Sequence, residues 1–396
     1  MLNPPARKLL LIYLIYSSLY ALSLTFSSAF IWRYTGEVWL VILYSTSYVI
    51  GVAFAHLVNG YFLKKVGISV ILFTSLIVNI TSLGVFFLLN EKLGPALCLT
   101  IGFFVGFPGG FFWANRNYLS FLNTTEQNRR IFSFLEQITI MGGGAVSMFI
   151  FGAIIGLADR FFEARAGYLS AALLMVVLVI IIGFLVRKAD FKSPHFSKYL
   201  YWSFHPLWNK HRFLALAIGA YDAAINLLIP LLVLNFLGNE SILGTIEFVS
   251  LILSGTLAYF LGGTMSTKFQ VLIASLIIML VPALILGLQF QSWTVYLCQV
   301  SFIILNPAIQ ASFREKVLNN SAFTINIENR SPYTYVVDNE LFLNTGRLLF
   351  FISALVYILY FPDPEILRYG LLIGLGIAYL FYTIFTLRSA EIGNKN

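Results

Sequence analysis

The sequence predicts an all-α integral membrane protein with twelve membrane-spanning helices. Hydrophobic residues make up 59% of the 396 residues and charged residues only 11%, whereas about a quarter of an ordinary soluble domain is charged. Because a spanning helix takes about 20 residues, twelve spans with short loops nearly use up the chain. Little of it remains for a soluble domain.

The apolar runs can be followed in order, and each is close to the length that crosses a bilayer. They lie at residues 8–31, 38–62, 68–89, 94–113, 131–157, 168–186, 212–236, 242–262, 269–289, 292–310, 345–361 and 367–387. The first run is too long for the core of a signal peptide and lacks a cleavage site of small residues. It is therefore predicted to be span one, and the others follow as spans two to twelve.

A polar stretch separates the first six spans from the last six. Residues 187–211 combine lysines with aromatic residues of the kind found at membrane interfaces, and we expect a cytoplasmic linker on the membrane surface. The predicted units are an N-terminal six-helix bundle (1–186), the linker (187–211) and a C-terminal six-helix bundle (212–396). This six-plus-six pattern favours an internal duplication.

The basic residues indicate the orientation of the chain. If both termini are cytoplasmic, all but five of the 25 Lys and Arg residues fall on the cytoplasmic side, as the positive-inside rule requires. They are scattered at helix ends rather than gathered on one face, which does not favour nucleic acid as a partner. We expect a monomer in the cell's inner or plasma membrane.

The stretch at residues 102–144 carries the most polar character of the first half. It predicts two spans joined by one short basic loop, with Arg116, Glu136 and Gln137 near the cytoplasmic end. Ionisable groups near hydrocarbon need partners or a water-filled cavity, so these residues are candidates for an inner gate. The three glycines at 142–144 predict a close approach by another helix.

The loop between spans two and three carries a glycine-rich motif. In this loop the major facilitator superfamily has a glycine, an acidic residue, a basic residue and a second glycine. Three of these positions match, at Gly60, Lys65 and Gly67, while Lys64 replaces the acidic residue. With the twelve spans and the central linker, the chain resembles a member of that superfamily over its whole length. The glycines predict a tight turn here, and the equivalent loop at 262–268 is more degenerate.

The resemblance implies two six-helix bundles that rock around a central cavity lined by spans one, four, seven and ten. Polar and aromatic residues concentrate on these spans, and such a pocket suits a small amphipathic organic solute. The candidate solute or proton residues are Tyr16, Tyr20, Trp113, Tyr221, Asp222, Asn226, Gln299 and Asn306, together with Glu247 on span eight.

Asp222 is the clearest single signal, because it falls near the middle of span seven. Placing Asp there costs roughly 2.5–3.5 kcal/mol on insertion scales. The functional interpretation is a carboxyl that exchanges a proton or binds a substrate amine, and the alternative is a carboxyl hydrogen-bonded to neighbouring helices for packing. Glu247 has the same functional interpretation, with an acid that reaches outer water as its alternative.

Two further residues complete the predicted inner gate. Arg347 on span eleven is a candidate ion-pair partner of Glu136, although long side chains near helix ends also reach water by snorkelling. His56 on span two titrates near neutrality when unperturbed, and a packing histidine is the alternative interpretation.

Several enzyme classes lack their motifs. The sequence has no phosphate-cradling Gly-x-x-x-x-Gly-Lys-Ser/Thr loop, no His-Glu-x-x-His and no Cys-x-x-Cys. We therefore expect no metal, no cofactor and no enzymatic activity.

The predicted function is secondary transport of a small organic solute by alternating access, coupled to protons. The alternatives are a lipid permease or flippase whose cavity opens sideways, and a non-transporting membrane sensor. The second alternative depends on a long inner loop predicted at 311–344.

Overall fold

The computed structural model describes residues 4–89, 93–188, 191–193, 196, 198–262 and 269–393. The motif predicted at 262–268 lies outside these residues except for Gly262, as do parts of the linker. Pro4 and the end of helix twelve lie at the same end of the bundle, because the number of crossings is even. We call this end the terminal face and the opposite end the distal face.

Within the described residues the chain forms twelve long helices, numbered as the spans. They are α1 (Pro4–Ala21, a π-helical turn at Leu22–Phe26, then Ser27–Thr35), α2 (Val38–Leu63), α3 (Ile68–Leu88), α4 (Pro95–Leu122), α5 (Glu126–Phe161), α6 (Ala164–Arg187), α7 (Pro206–Leu237), α8 (Glu240–Gly262), α9 (Phe269–Leu288), α10 (Ser292–Glu328), α11 (Pro332–Tyr360) and α12 (Glu365–Gly393). The predicted all-α class is confirmed.

Length and composition identify these helices as membrane spans. In the described ranges eleven are long and apolar enough to cross a bilayer, and the ninth is apolar over Ala274–Leu288. The outside of the bundle carries large exposed apolar side chains, such as Leu173, Ile180, Val281 and Leu380. In water such a surface would be costly, so it faces lipid, and the chain is a multi-pass integral membrane protein.

The long inner loop predicted at 311–344 is wrong. Helix α10 runs to Glu328 and α11 begins at Pro332, so only three residues join them, and Asn329 ends α10 in the left-handed conformation at φ 50°. Between Pro307, which lies inside α10, and Pro332 the sequence contains neither glycine nor proline to stop the helix. Helices continue into water when their backbone allows it, so hydropathy alone ends them too early.

The basic loop predicted between spans four and five is also shorter than expected. Helix α4 extends to Leu122 and α5 begins at Glu126, where Thr125 and Asn128 form a reciprocal capping box. Arg129 and Arg130 therefore belong to α5 rather than to a loop. On the linker side, α7 begins at Pro206 and its residue Trp208 is buried.

Each half is packed through its own set of helix pairs. In the first half α2 packs on α4, α1 on α5, and α3 on both α4 and α6; in the second half α7 packs on α11 and α12, and α9 on α10 and α12. The halves meet where α5 lies along α8 and α2 along α11. The central space between the halves is therefore bordered by helices of both.

Glycines allow several of these close approaches. Gly143 packs against the backbone of α1 at Leu14, as the glycine triplet predicted. Four residues, 64–67, join α2 to α3, so the turn predicted here is tight, but neither Gly60 nor Gly67 forms it with a left-handed backbone. Gly60 lies inside α2, where a Cβ would be 2.5 Å from the ring of Tyr199 in the linker, and Gly67 has an ordinary φ of −68°.

Replacing Gly346 by Ala should destabilise the second half. Its added Cβ would overlap the Leu216 carbonyl oxygen of α7, and overpacking of this kind costs about 1–3 kcal/mol. The measurement is the midpoint of thermal unfolding of the purified protein. Gly376→Ala is the matched control, since no atom lies within 4 Å of its Cβ position; equal midpoints for the two variants would contradict the packing described here.

Candidate functional site

A cavity of about 290 Å³ lies between the two halves. Residues of α1, α2, α4, α5, α7, α10 and α11 line it. Among them are the predicted site residues Tyr16, Tyr20, Trp113, Arg116, Gln137, Asp222, Asn226, Asn306 and Arg347. The structure thus brings together most of the side chains that the sequence singled out on separate spans.

Asp222 lies at the centre of the polar wall of the cavity. Its carboxylate accepts a hydrogen bond of 2.7 Å from Gln310 Nε2 on α10, and Arg347 Nη2 on α11 is 3.3 Å from its second oxygen. Arg347 was predicted near the inner gate with Glu136; the structure places it opposite Asp222, where it also donates to Asn344. Each charge offsets the cost of burying the other.

The opposite wall of the cavity is aromatic. Tyr16 stacks on Phe112 with an interplanar angle of 7°, and Trp113 makes edge contacts with Tyr16 and Tyr20 at centroid distances of 5.7 and 5.6 Å. The guanidinium carbon of Arg116 lies 4.8 Å from the Trp113 ring, a cation–π distance. The cavity therefore offers an apolar face and a charged face to one occupant.

Toward the terminal face, one carboxylate serves two arginines. Glu136 is fully buried; its Oε1 forms an ion pair with Arg116 Nη2 at 2.9 Å and accepts a hydrogen bond from Ser120 Oγ at 3.0 Å. Arg314 Nη2 lies 3.3 Å from Oε2. Since Arg116 and Glu136 belong to the first half and Arg314 to the second, this cluster joins the halves.

Asn117 extends this cluster to α11. Its Oδ1 accepts from Arg116 Nη1 at 3.0 Å and from Arg314 Nη1 at 3.1 Å, and its Nδ2 donates to Glu340 Oε1 at 2.9 Å. Glu340 Oε2 in turn lies 3.8 Å from Nε2 of the fully buried His56, whose Nδ1 contacts the Val52 carbonyl. The terminal side of the cavity is therefore closed by polar contacts between halves.

Sequence reasoning missed Arg314 as a cavity residue because it was assigned to the predicted loop. The signal was present in the spacing. Asn306, Gln310 and Arg314 recur every four residues, which places them on one face of a helix, and all three line the cavity.

A second polar cluster closes the distal face, and it too was missed. Arg33 on α1 donates to Glu240 on α8 at 2.7 and 2.6 Å, and to Asp159 on α5 at 3.0 Å through both terminal nitrogens. Tyr168 donates to the same Glu240 at 2.7 Å. These residues sit at span ends, where Lys and Arg indicate the orientation of the chain, and no local pattern marks Arg33, Asp159 and Glu240 as partners.

Asp363, in the loop after α11, adds a contact between α2 and α11 at the same face. Its carboxylate accepts from the backbone N–H groups of Val38 and Trp39 at 2.7 and 3.0 Å, which caps the start of α2 from the other half of the chain. Burial raises the pKa of this carboxyl, while the two amide donors limit the rise because they favour the ionised form.

Three predicted solute residues do not line the cavity. Tyr221 lies behind it and contacts Asn306 through its hydroxyl at 3.1 Å. Gln299 donates to Ser250 at 2.7 Å, and the carboxyl of Glu247 interacts with Gln299. Glu247 is buried at 7% exposure, so the structure places it among protein groups between α8 and α10 rather than in outer water.

Comparison with known proteins identifies the fold. No protein-family model matches the sequence. A curated relative, the uncharacterized protein YqgE of Bacillus subtilis (strain 168), is 24% identical over an alignment of 401 residues that covers 96% of this chain and 89% of that protein.

Solved structures match almost the whole chain. A bacterial homologue of the iron transporter ferroportin in an inward-facing state has a TM-score of 0.68 at 14% identity and covers 97% of this chain and 98% of its own. Its outward-facing state has a TM-score of 0.60 at 16% identity, covering 98% and 100%. FucP, a Major Facilitator Superfamily transporter in the outward conformation, has a TM-score of 0.62 at 13% identity, covering 98% and 99%. The predicted major facilitator fold, with two six-helix bundles, is confirmed.

Asp222 and Arg347 form an ion pair in the polar wall of the cavity. A variant that neutralises only one of them should be less stable than the variant that neutralises both. Asp222→Asn or Arg347→Gln alone leaves one charge in the cavity without its partner, and contacting residues of this kind couple by about 0.5–3 kcal/mol. Thermal unfolding of both single variants and the double variant gives the coupling energy. Strictly additive losses would show that the pair does not interact.

Glu240→Gln should open the distal face. The substitution removes the carboxylate of the second half that binds Arg33, while Asp159 of the first half remains. A cysteine placed in the cavity by Ser28→Cys should then react about tenfold faster with a hydrophilic maleimide, a shift of roughly 1.4 kcal/mol in the opening equilibrium. Glu163→Gln is the matched control because Glu163 is an exposed acid at the same face. An unchanged rate in the Glu240 variant would mean that the cluster does not hold this face closed.

Proposed function

We propose that this protein is a secondary transporter that carries a small organic solute across the membrane by alternating access, coupled to protons. The observation that carries the proposal is the cavity between the halves, closed toward each face by polar contacts that join one half to the other. Such contacts can open at one face while they hold at the other. The moving units are residues 1–186 and 212–396, connected by the linker at 187–211, of which residues 206–211 already belong to α7.

The lining of the cavity supports an organic solute. Its first wall is built from Tyr16, Tyr20 and Trp113, and its second from polar and charged side chains. Small-molecule sites combine aromatic surface with a few placed polar groups in this way. One structural neighbour is a homologue of an iron transporter, but the two carboxylates that line this cavity already have partners, Asp222 with Arg347 and Gln310, and Glu340 with Asn117. The proposal therefore stays with an organic solute.

Asp222 is the proposed coupling residue. In the structure its carboxylate binds Arg347 and Gln310, and a proton on that carboxyl would remove the charge that holds Arg347. Proton exchange at Asp222 would therefore free a guanidinium inside the cavity, which links protonation to the charges that the solute meets.

The inner gate consists of Arg116, Glu136 and Gln137 with the His56 contact, and Arg314 joins it. With both termini in the cytoplasm, the terminal face is the cytoplasmic one. The protein would work as a monomer in the inner or plasma membrane. The sensor alternative loses its support because residues 311–344 extend two helices instead of forming a loop.

The first test compares metabolites inside and outside cells that make the wild-type protein or Asp222→Asn at equal membrane levels. A compound that only the wild type redistributes is the expected result. Glu163→Gln, which removes an exposed acid, serves as the control and should behave as the wild type. No redistributed compound with any variant would count against transport of a soluble solute.

Proton coupling is tested with that compound in proteoliposomes that contain a pH-sensitive dye. Adding the solute outside should change the internal pH with the wild type, and Asp222→Asn should abolish the pH change. If Asp222→Asn carries the solute with an unchanged pH signal, Asp222 is not the coupling residue.

A further inference from the structure

We infer that the transported solute is a small organic acid whose carboxylate binds Arg314 and Arg116 at the terminal end of the cavity. This inference rests on the proposed transport function and names the class of its solute. It depends on the hydrogen-bond donors of these two arginines that have no partner. It also depends on the nearby carboxylates, which already contact other side chains.

Arg314 has more donors than partners. A guanidinium offers five N–H groups in a planar fork. The Nη1 of Arg314 donates to Asn117 Oδ1, its Nη2 approaches Glu136 Oε2 at 3.3 Å without forming a hydrogen bond, and its buried Nε has no hydrogen-bond partner. Buried donors left unpaired are costly, so this side chain is suited to an additional acceptor.

Arg116 likewise has more hydrogen-bond donors than partners. It is 6% exposed, and its Nε also has no hydrogen-bond partner. Glu136 is the one carboxylate that forms ion pairs within 4.0 Å of the two arginines among the described residues. Glu340 accepts a hydrogen bond from Asn117, and among the basic side chains of the described residues only the His56 ring lies within 4.0 Å of its carboxylate. In the part of the chain that the structure describes, the two guanidinium groups therefore share a single carboxylate within ion-pair distance, Glu136.

Glu136 acts as an internal substitute for such an acid. Its Oε1 is satisfied by Arg116 and Ser120, whereas its Oε2 faces Arg314 and accepts no hydrogen bond. A ligand carboxylate can bind a guanidinium through two parallel N–H···O bonds, which Glu136 does not achieve with Arg314. The ligand would therefore compete for Arg314 and loosen the contact that joins the halves at this face.

The structure favours an acid over an amine. Two carboxylates that could attract an amine line the cavity, and both have partners: Asp222 binds Arg347 and Gln310, and Glu340 accepts from Asn117. The aromatic wall beside Arg116 supplies an apolar surface for the body of the acid, with Trp113 4.8 Å from the guanidinium. A cavity of about 290 Å³ limits that body to a small one.

The test measures binding of benzoate and phenylacetate to the purified full-length protein, with benzamide and phenylacetamide as uncharged probes of the same shape. Binding is followed by the ligand-dependent shift of thermal unfolding. The acids should stabilise the wild type and the amides should not. Equal effects of acids and amides, or no effect of either acid at millimolar concentration, would overturn the inference.

Variants separate a binding role from a structural one. Arg314→Gln should weaken binding of the acids by about 30-fold or more, as expected for loss of one partner of a buried charge pair, and Arg314→Lys, which keeps the charge but not the fork, serves if the first variant does not fold. Glu136→Gln should instead strengthen acid binding because the internal competitor is gone. Arg160→Gln removes an exposed arginine and should change nothing. Weakened binding in both the Arg314 and Glu136 variants would contradict the competition.

The outcome can be distinguished from failure of the transport proposal. If cells redistribute a neutral or cationic solute in an Asp222-dependent way and the acids do not bind, the acid site is refuted while transport stands. If the acids bind through Arg314 but no solute is redistributed, the acid site stands and the transport proposal is refuted.

Discussion

A charged side chain inside a membrane protein is stable only where another group offsets the loss of water around it. In this protein the buried arginines meet that requirement through carboxylates on other helices: Arg347 with Asp222, Arg116 and Arg314 with Glu136, and Arg33 with Glu240. Because the partners lie on different helices, each pair fixes how its helices are placed. The central cavity is the space that these pairs surround.

Two kinds of contact hold the bundle together. Within a half, helices approach closely at glycines, as α7 and α11 do at Gly219 and Gly346, and such packing tolerates little movement. Between the halves, ion pairs and hydrogen bonds of amide groups close both faces. Helices α5 and α8 also meet closely at Gly152 and Gly244. Polar contacts can exchange one partner for another, which suits surfaces that separate during a transport cycle.

Much of the fold follows from hydropathy. The features that hydropathy predicted wrongly have a common cause. Lipid requires apolar runs of fixed length, so the twelve spans and their order were predictable. The ends of the helices were not, because backbone hydrogen bonding continues α10 to Glu328 and starts α11 at Pro332, beyond the apolar segments. Gly60 likewise serves packing against Tyr199 rather than a turn, and no local pattern distinguishes these two uses of glycine.

The sequence by itself determined the number of spans and the depth of Asp222 in span seven, since both follow from counting residues along apolar runs. The family resemblance implied four of the seven helices that line the cavity, α1, α4, α7 and α10, but not α2, α5 and α11. Only the tertiary structure decided which charges meet. Arg347 binds Asp222, Arg314 reaches Glu136, and Arg33 joins Asp159 to Glu240. Such pairings depend on the rotation and crossing of helices distant in sequence, which are set by side-chain packing and leave no trace in the hydropathy of any single span.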